Sequence, residues 1–102
     1  MSITQVKEEV SWFKVFDLKG KQIAIKNKLP NERLSGHSNK IIVLEDKSWF
    51  KVFDEKFTQI SVKPRLSNDK VVSVVDENIV IDNGKFVITY NKKWKQLNIR
   101  AN

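Results

Sequence analysis

The sequence predicts an all-β protein of three tandem antiparallel meander units, each about 37 residues long and the first truncated. Three observations carry that expectation. Ser11-Trp12-Phe13-Lys14-Val15-Phe16-Asp17 recurs letter for letter as Ser48-Trp49-Phe50-Lys51-Val52-Phe53-Asp54, displaced by 37 residues. A second step of the same length lands on Lys85, where the letters change but the pattern stays: Phe86 falls on Trp49, Tyr90 on Phe53, Asn91 on Asp54, Gln96 on Gln59, Leu97 on Ile60 and Arg100 on Lys63. No segment spaces its apolar residues as a packed helix would.

The elements follow in chain order. Gln5-Val6-Lys7-Glu8 is a weak first copy of Ile42-Val43-Leu44-Glu45 and Ile79-Val80-Ile81-Asp82, so each unit should contain a short strand there. Residues 12–16 form the middle strand of the first unit, with Trp12 and Phe16 on one face and Phe13 and Val15 on the other, which predicts cover on both faces. Trp12 and Trp49 are therefore expected in the core. Between units, Leu29 to Leu34 lies over Leu66 to Val71. Val71 to Val75 reads as a buried fourth strand, and its counterpart Leu34 to Ser38 as an irregular or edge version. In the last unit Asn78 to Ile81 is a strand, Asn83-Gly84 signals a type I′ hairpin, and Lys85 to Tyr90 is β-rich. Asn91 to Trp94 turns the chain into Lys95 to Ile99, whose alternation leaves one face wet.

The expected units are 1–26, 27–63 and 64–102 within a single domain. The first lacks the segment that precedes its first strand. Units of this kind bury their apolar faces against neighbours, which suggests pseudo-threefold packing. In shape the unit resembles a β-propeller blade of the WD-repeat type, and threefold closure resembles a β-prism or β-trefoil. The propeller resemblance implies a homodimer whose two chains complete the ring, since propellers close with about four to eight blades.

Composition narrows the chemistry. With 40% hydrophobic and 30% charged residues the chain is globular, and the absence of Cys removes disulfides, thiolate nucleophiles and Cys-ligated metals. No apolar run is long enough for a membrane span, and Met1 to Val10 is not a signal peptide, so a cytoplasmic protein is expected. The net charge of +7 points toward polyanions. Against that, only Arg33, Arg65 and Arg100 among the basic residues are arginine, and the Lys, Asn and Ile bias matches codon drift.

His37 is the only histidine, and it reads as an exposed loop residue. The paired carboxylates Glu8-Glu9 and Glu45-Asp46 sit at matched turns, where side chains bond nearby backbone, and do not point to one asymmetric active site. Neither a catalytic set, a metal site nor a cofactor is therefore expected. Gln22, Gln59 and Gln96, with Asp17, Asp54 and Asn91, recur at equivalent positions and would form repeated ligand sites in a lectin. Lys26, Lys63 and Arg100, followed by Lys28 and Arg65, gather at one end as a charge-alternating rim or a phosphate-binding ring.

At the other end the repeats disagree. Gly20 stands where the second unit has Phe57 and the third Trp94, and Trp94 is flanked by Lys92, Lys93 and Lys95. An aromatic set in cations suits an interface, so these five residues of the second and third units are the candidate partner-binding site. The expected function is a non-catalytic protein-binding module, such as an inhibitor or immunity protein, whose partner carries an acidic or apolar patch. A lectin and a basic nucleic-acid-binding domain are the alternatives.

Overall fold

The structure, a computed structural model, describes residues 2–102. Eleven strands account for its regular structure: β1 Gln5–Glu8, β2 Trp12–Phe16, β3 Gln22–Asn27, β4 Arg33–His37, β5 Ile42–Glu45, β6 Trp49–Phe53, β7 Gln59–Pro64, β8 Lys70–Val75, β9 Asn78–Asp82, β10 Phe86–Asn91 and β11 Gln96–Ala101. They form three antiparallel meanders in chain order, β1-β2-β3, β4-β5-β6-β7 and β8-β9-β10-β11. The first sheet has one strand fewer, as the truncated first unit requires.

The repeat is visible in the ladders themselves. Each middle strand slips by one residue just before the second turn, between Val15 and Phe16, Val52 and Phe53, and Thr89 and Tyr90. β4 and β8 both carry a bulge, so Leu34 to His37 lies in a strand as real as its counterpart. It lies at a sheet edge as expected. Its weak sequence signal comes from Gly36, where an added Cβ would sit 2.9 Å from Val74 Cγ2 of β8. Glycine here permits the first strands of neighbouring sheets to approach, because no side chain fits between them.

Two apolar clusters hold the sheets in a row. Val6, Phe13 and Val15 of the first sheet pack on Ile42, Leu44 and Phe53 of the second. From the opposite face of the second sheet, Val43, Phe50 and Val52 pack on Ile79 and Ile81 of the third. The period of two along β6 explains this: Phe53 faces one neighbour while Phe50 and Val52 face the other. Burial of each such side chain stabilises the fold by about 1.5–3 kcal/mol. No cluster of described residues joins the first sheet to the third, as a closed threefold body would need.

Cover on both faces therefore belongs to β6 and not to β2, where Phe13 and Val15 are buried but Trp12 is not. Trp12, Trp49 and Phe86 are each 42% exposed, which corrects the expectation of core tryptophans. Trp49 and Phe86 open their strands beside the first turns, at the edge of the neighbouring sheet, and Trp12 lies on the face of β2 opposite the one packed on the second sheet. The Asn83-Gly84 hairpin forms, but not as type I′, since only Gly84 of the pair has positive φ. Asn83 instead closes the turn with its side chain, Oδ1 accepting from the N–H groups of Lys85 and Phe86. β11 is exposed along its whole length, not on one face alone.

Candidate functional site

The second turns show what Asp17, Asp54 and Asn91 do. Asp17 Oδ1 accepts from the N–H groups of Lys19 and Lys21, Asp54 Oδ1 from Lys56 and Thr58, and Asn91 Oδ1 from Lys93 and Lys95, each at 2.9–3.0 Å. Each loop thus spends one side-chain oxygen on two backbone donors. Gln22, Gln59 and Gln96 open β3, β7 and β11 and are exposed in all three units.

The fourth residue of each turn is left-handed: Gly20 at φ 77°, Phe57 at 60° and Trp94 at 66°. Glycine adopts this at no steric cost, whereas an aromatic pays roughly 1–2 kcal/mol. The return is inter-sheet packing. Phe57 places its ring 6.4 Å from Phe13 and 5.7 Å from Phe53, and Trp94 lies 5.9 Å from Phe50 and 5.5 Å from Tyr90. Each ring plugs the joint with the preceding sheet. A Cβ at Gly20 would meet nothing within 4 Å.

Both aromatics therefore pack on the preceding sheet and are half-buried. Trp94 Nε1 is buried without a hydrogen-bond partner. Of the flanking lysines, Lys92 pairs with Glu77 at 2.6 Å, while Lys93 and Lys95 are exposed. His37 closes β4 and is half-buried, its Nδ1 lying 3.1 Å from the Ser38 carbonyl. Among the described residues no three His, Asp or Glu side chains converge as metal ligands.

The cations at the other end serve the joints too. Lys26 Nζ lies 5.7 Å from the Phe53 ring centroid, Lys63 Nζ 5.4 Å from that of Tyr90, and Arg65 5.8 Å from that of Phe50. Carboxylates neutralise most of the remainder: Lys28 with Glu8 at 2.7 Å, Arg65 with Glu45 at 2.9 Å, and Lys51 with Asp46 at 3.5 Å. A cleft of about 480 Å³ opens between Lys28, Arg33, Asp46 and Lys47, so both signs line it. Burial works against the charged form of Glu8 and Asp46, but Lys28 and the Leu34 N–H for the former, and the Ser48 and Trp49 N–H groups for the latter, hold both carboxyls below their ordinary pKa. The rim thereby alternates in charge, with Lys28, Arg65 and Lys51 paired and Lys47 and Arg100 exposed.

What the residue-by-residue search missed is a face. The outer side of the third sheet carries Val80, Val87, Thr89, Leu97 and Arg100, the counterparts of Val43, Phe50, Val52, Ile60 and Lys63. In the second sheet Val43, Phe50 and Val52 are 0% exposed under the third. On the third sheet Val72, Val75 and Leu97 are 52%, 65% and 51% exposed. The outer side of the first sheet is different. Gln5 and Lys7 stand where the second and third sheets have Ile42 and Ile79, Leu44 and Ile81. The outer side of the first sheet thus mixes Gln5, Lys7 and Lys14 with Trp12, Phe16 and Ile25, whereas that of the third groups Val72, Val80, Val87 and Leu97. The register given by the repeat was the signal that could have found this.

Comparison with protein-family models, with curated proteins and with solved structures found no match. Among the described residues no helix is long and apolar enough to cross a membrane.

Proposed function

We propose that the chain is a non-catalytic protein-binding module whose docking surface is the outer face of its third sheet. The single observation that carries this reading is the exposure of Leu97, whose counterpart Ile60 in the second sheet packs into the joint with the third; Val72 and Val75 of β8 are exposed on the same sheet. Apolar side chains left in water lose roughly 25 cal/mol for every Å², a penalty that a partner relieves. Lys70, Asp82 and Arg100 stand in one row at an end of the face, so the fitting partner combines apolar groups with charges of both signs there.

In the finer architecture, the meanders are blades of an open propeller. The strand order within each sheet and the approach of β4 to β8 at Gly36 support blades that converge on their first strands. Threefold closure lacks the third cluster it would need.

The test is site-specific photocrosslinking in cells from position 97, with position 19 at the far turn as control. A protein captured at 97 and not at 19, which when purified binds the wild-type chain and loses at least tenfold affinity for Leu97→Lys, supports the reading. Binding unchanged by Leu97→Lys contradicts it.

A further inference from the structure

We infer that the outer face of the third sheet is built to receive the first sheet of a second copy of this chain; this rests on the docking role proposed for that face. The two joints within the chain define the pattern. A cation from the last strand of one sheet sits over an aromatic ring of the next, Lys26 over Phe53 and Lys63 over Tyr90. At the chain's two ends the same positions hold Arg100 and Phe16.

The departures from the pattern match across the two ends. Within the chain, Val15 shares a cluster with Ile42, and Val52 with Ile79. At the ends both members turn polar together, to Thr89 and Gln5, groups able to hydrogen-bond each other. Phe13 meets Phe57 and Phe50 meets Trp94 inside the chain, and at the ends both members shrink together, to Val87 and Gly20. Two independent solvent caps would have no reason to change in step. A joint made between chains, more polar and less tightly plugged than the internal ones, does. Made twice about a twofold axis, this head-to-tail contact closes six sheets.

Sedimentation equilibrium of the purified chain across concentration tests this, with Leu97→Lys altering one end and Phe16→Lys the other. The wild-type chain should sediment at twice 11.9 kDa. Each variant should weaken dimerisation at least tenfold with its circular dichroism unchanged. An equimolar mixture of the two variants should dimerise again, through the one joint that both leave intact. That recovery also separates a lost joint from a lost fold. A wild-type monomer at all concentrations, open polymers, or a dimer indifferent to Phe16→Lys would overturn the inference. If the wild type is monomeric while a captured partner still depends on Leu97, the docking role stands and only the second copy falls.

Discussion

Lys26 Nζ lies 2.6 Å from Glu32 Oε1, and the Glu32 side chain is wholly buried. The other oxygen meets Lys51 Nζ at 3.1 Å, and the Leu29 N–H also donates to Oε1. One carboxylate in the loop between units therefore ties the last strand of the first sheet to the middle strand of the second. Burial pushes the carboxyl toward its neutral form, but the bonds from Lys26, Leu29 and Lys51 outweigh it and lower its pKa.

Removing this charge while keeping the shape, as in Glu32→Gln, takes from Lys26 its only carboxylate among the described residues, whereas Lys51 keeps Asp46. The expected loss is about 1.5–3 kcal/mol, measured by urea denaturation at neutral pH. Because the folded pKa is depressed, the contribution is full above the unfolded value of about 4.3 and disappears as pH falls through the lower folded value. The wild type should therefore lose stability below about pH 4 more steeply than Glu32→Gln. Parallel pH profiles would contradict the assignment.

Phe57 sets backbone strain against ring burial. Phe57→Gly relieves the left-handed cost yet empties the joint, for a net destabilisation of about 1–3 kcal/mol in thermal or chemical unfolding. Gly20→Phe in the first unit should cost about 1–2 kcal/mol with no packing to offset it. A stabilised Phe57→Gly protein would show that the ring does not plug the joint.

Gly36→Ala places a methyl group against Val74. It should destabilise by about 1–3 kcal/mol, and Val74→Ala in the same chain should recover part of that loss although it is harmful alone. Additive losses in this double-mutant cycle would mean that β4 and β8 do not meet there.

Asp54→Asn should be nearly neutral in thermal unfolding, since Asn91 performs the same double acceptance in the third unit. Asp54→Ala should cost about 1 kcal/mol or more, because two turn N–H groups lose their acceptor. Equal losses for the two variants would argue against the turn role.

The fold class, the unit spacing and the truncated first unit were legible because strand patterns and a seven-letter repeat are local signals. The exposure of Trp12 and Trp49 was not, since alternation shows which side of a strand a residue takes but not whether a neighbouring sheet covers it there. Gly36 hid a strand for the same reason: its lack of a side chain answers a contact from Val74, distant in sequence. The disagreement among Gly20, Phe57 and Trp94 was visible, but that each ring turns back to the sheet before it was not, because that contact is distant in sequence. The outer face of the third sheet depended on knowing that the units stack in a row, after which the repeat register alone locates it.

The most direct measurement pairs two equivalent substitutions, Ile60→Lys inside the row and Leu97→Lys at its end, each followed by thermal unfolding and by partner binding. Ile60→Lys should destabilise by roughly 2–4 kcal/mol, as a charge forced into a covered joint does. Leu97→Lys should leave the isolated fold within about 0.5 kcal/mol of wild type while abolishing association. A Leu97→Lys protein that unfolds as readily as Ile60→Lys, or that associates as wild type does, would contradict a row of three sheets with one open apolar end.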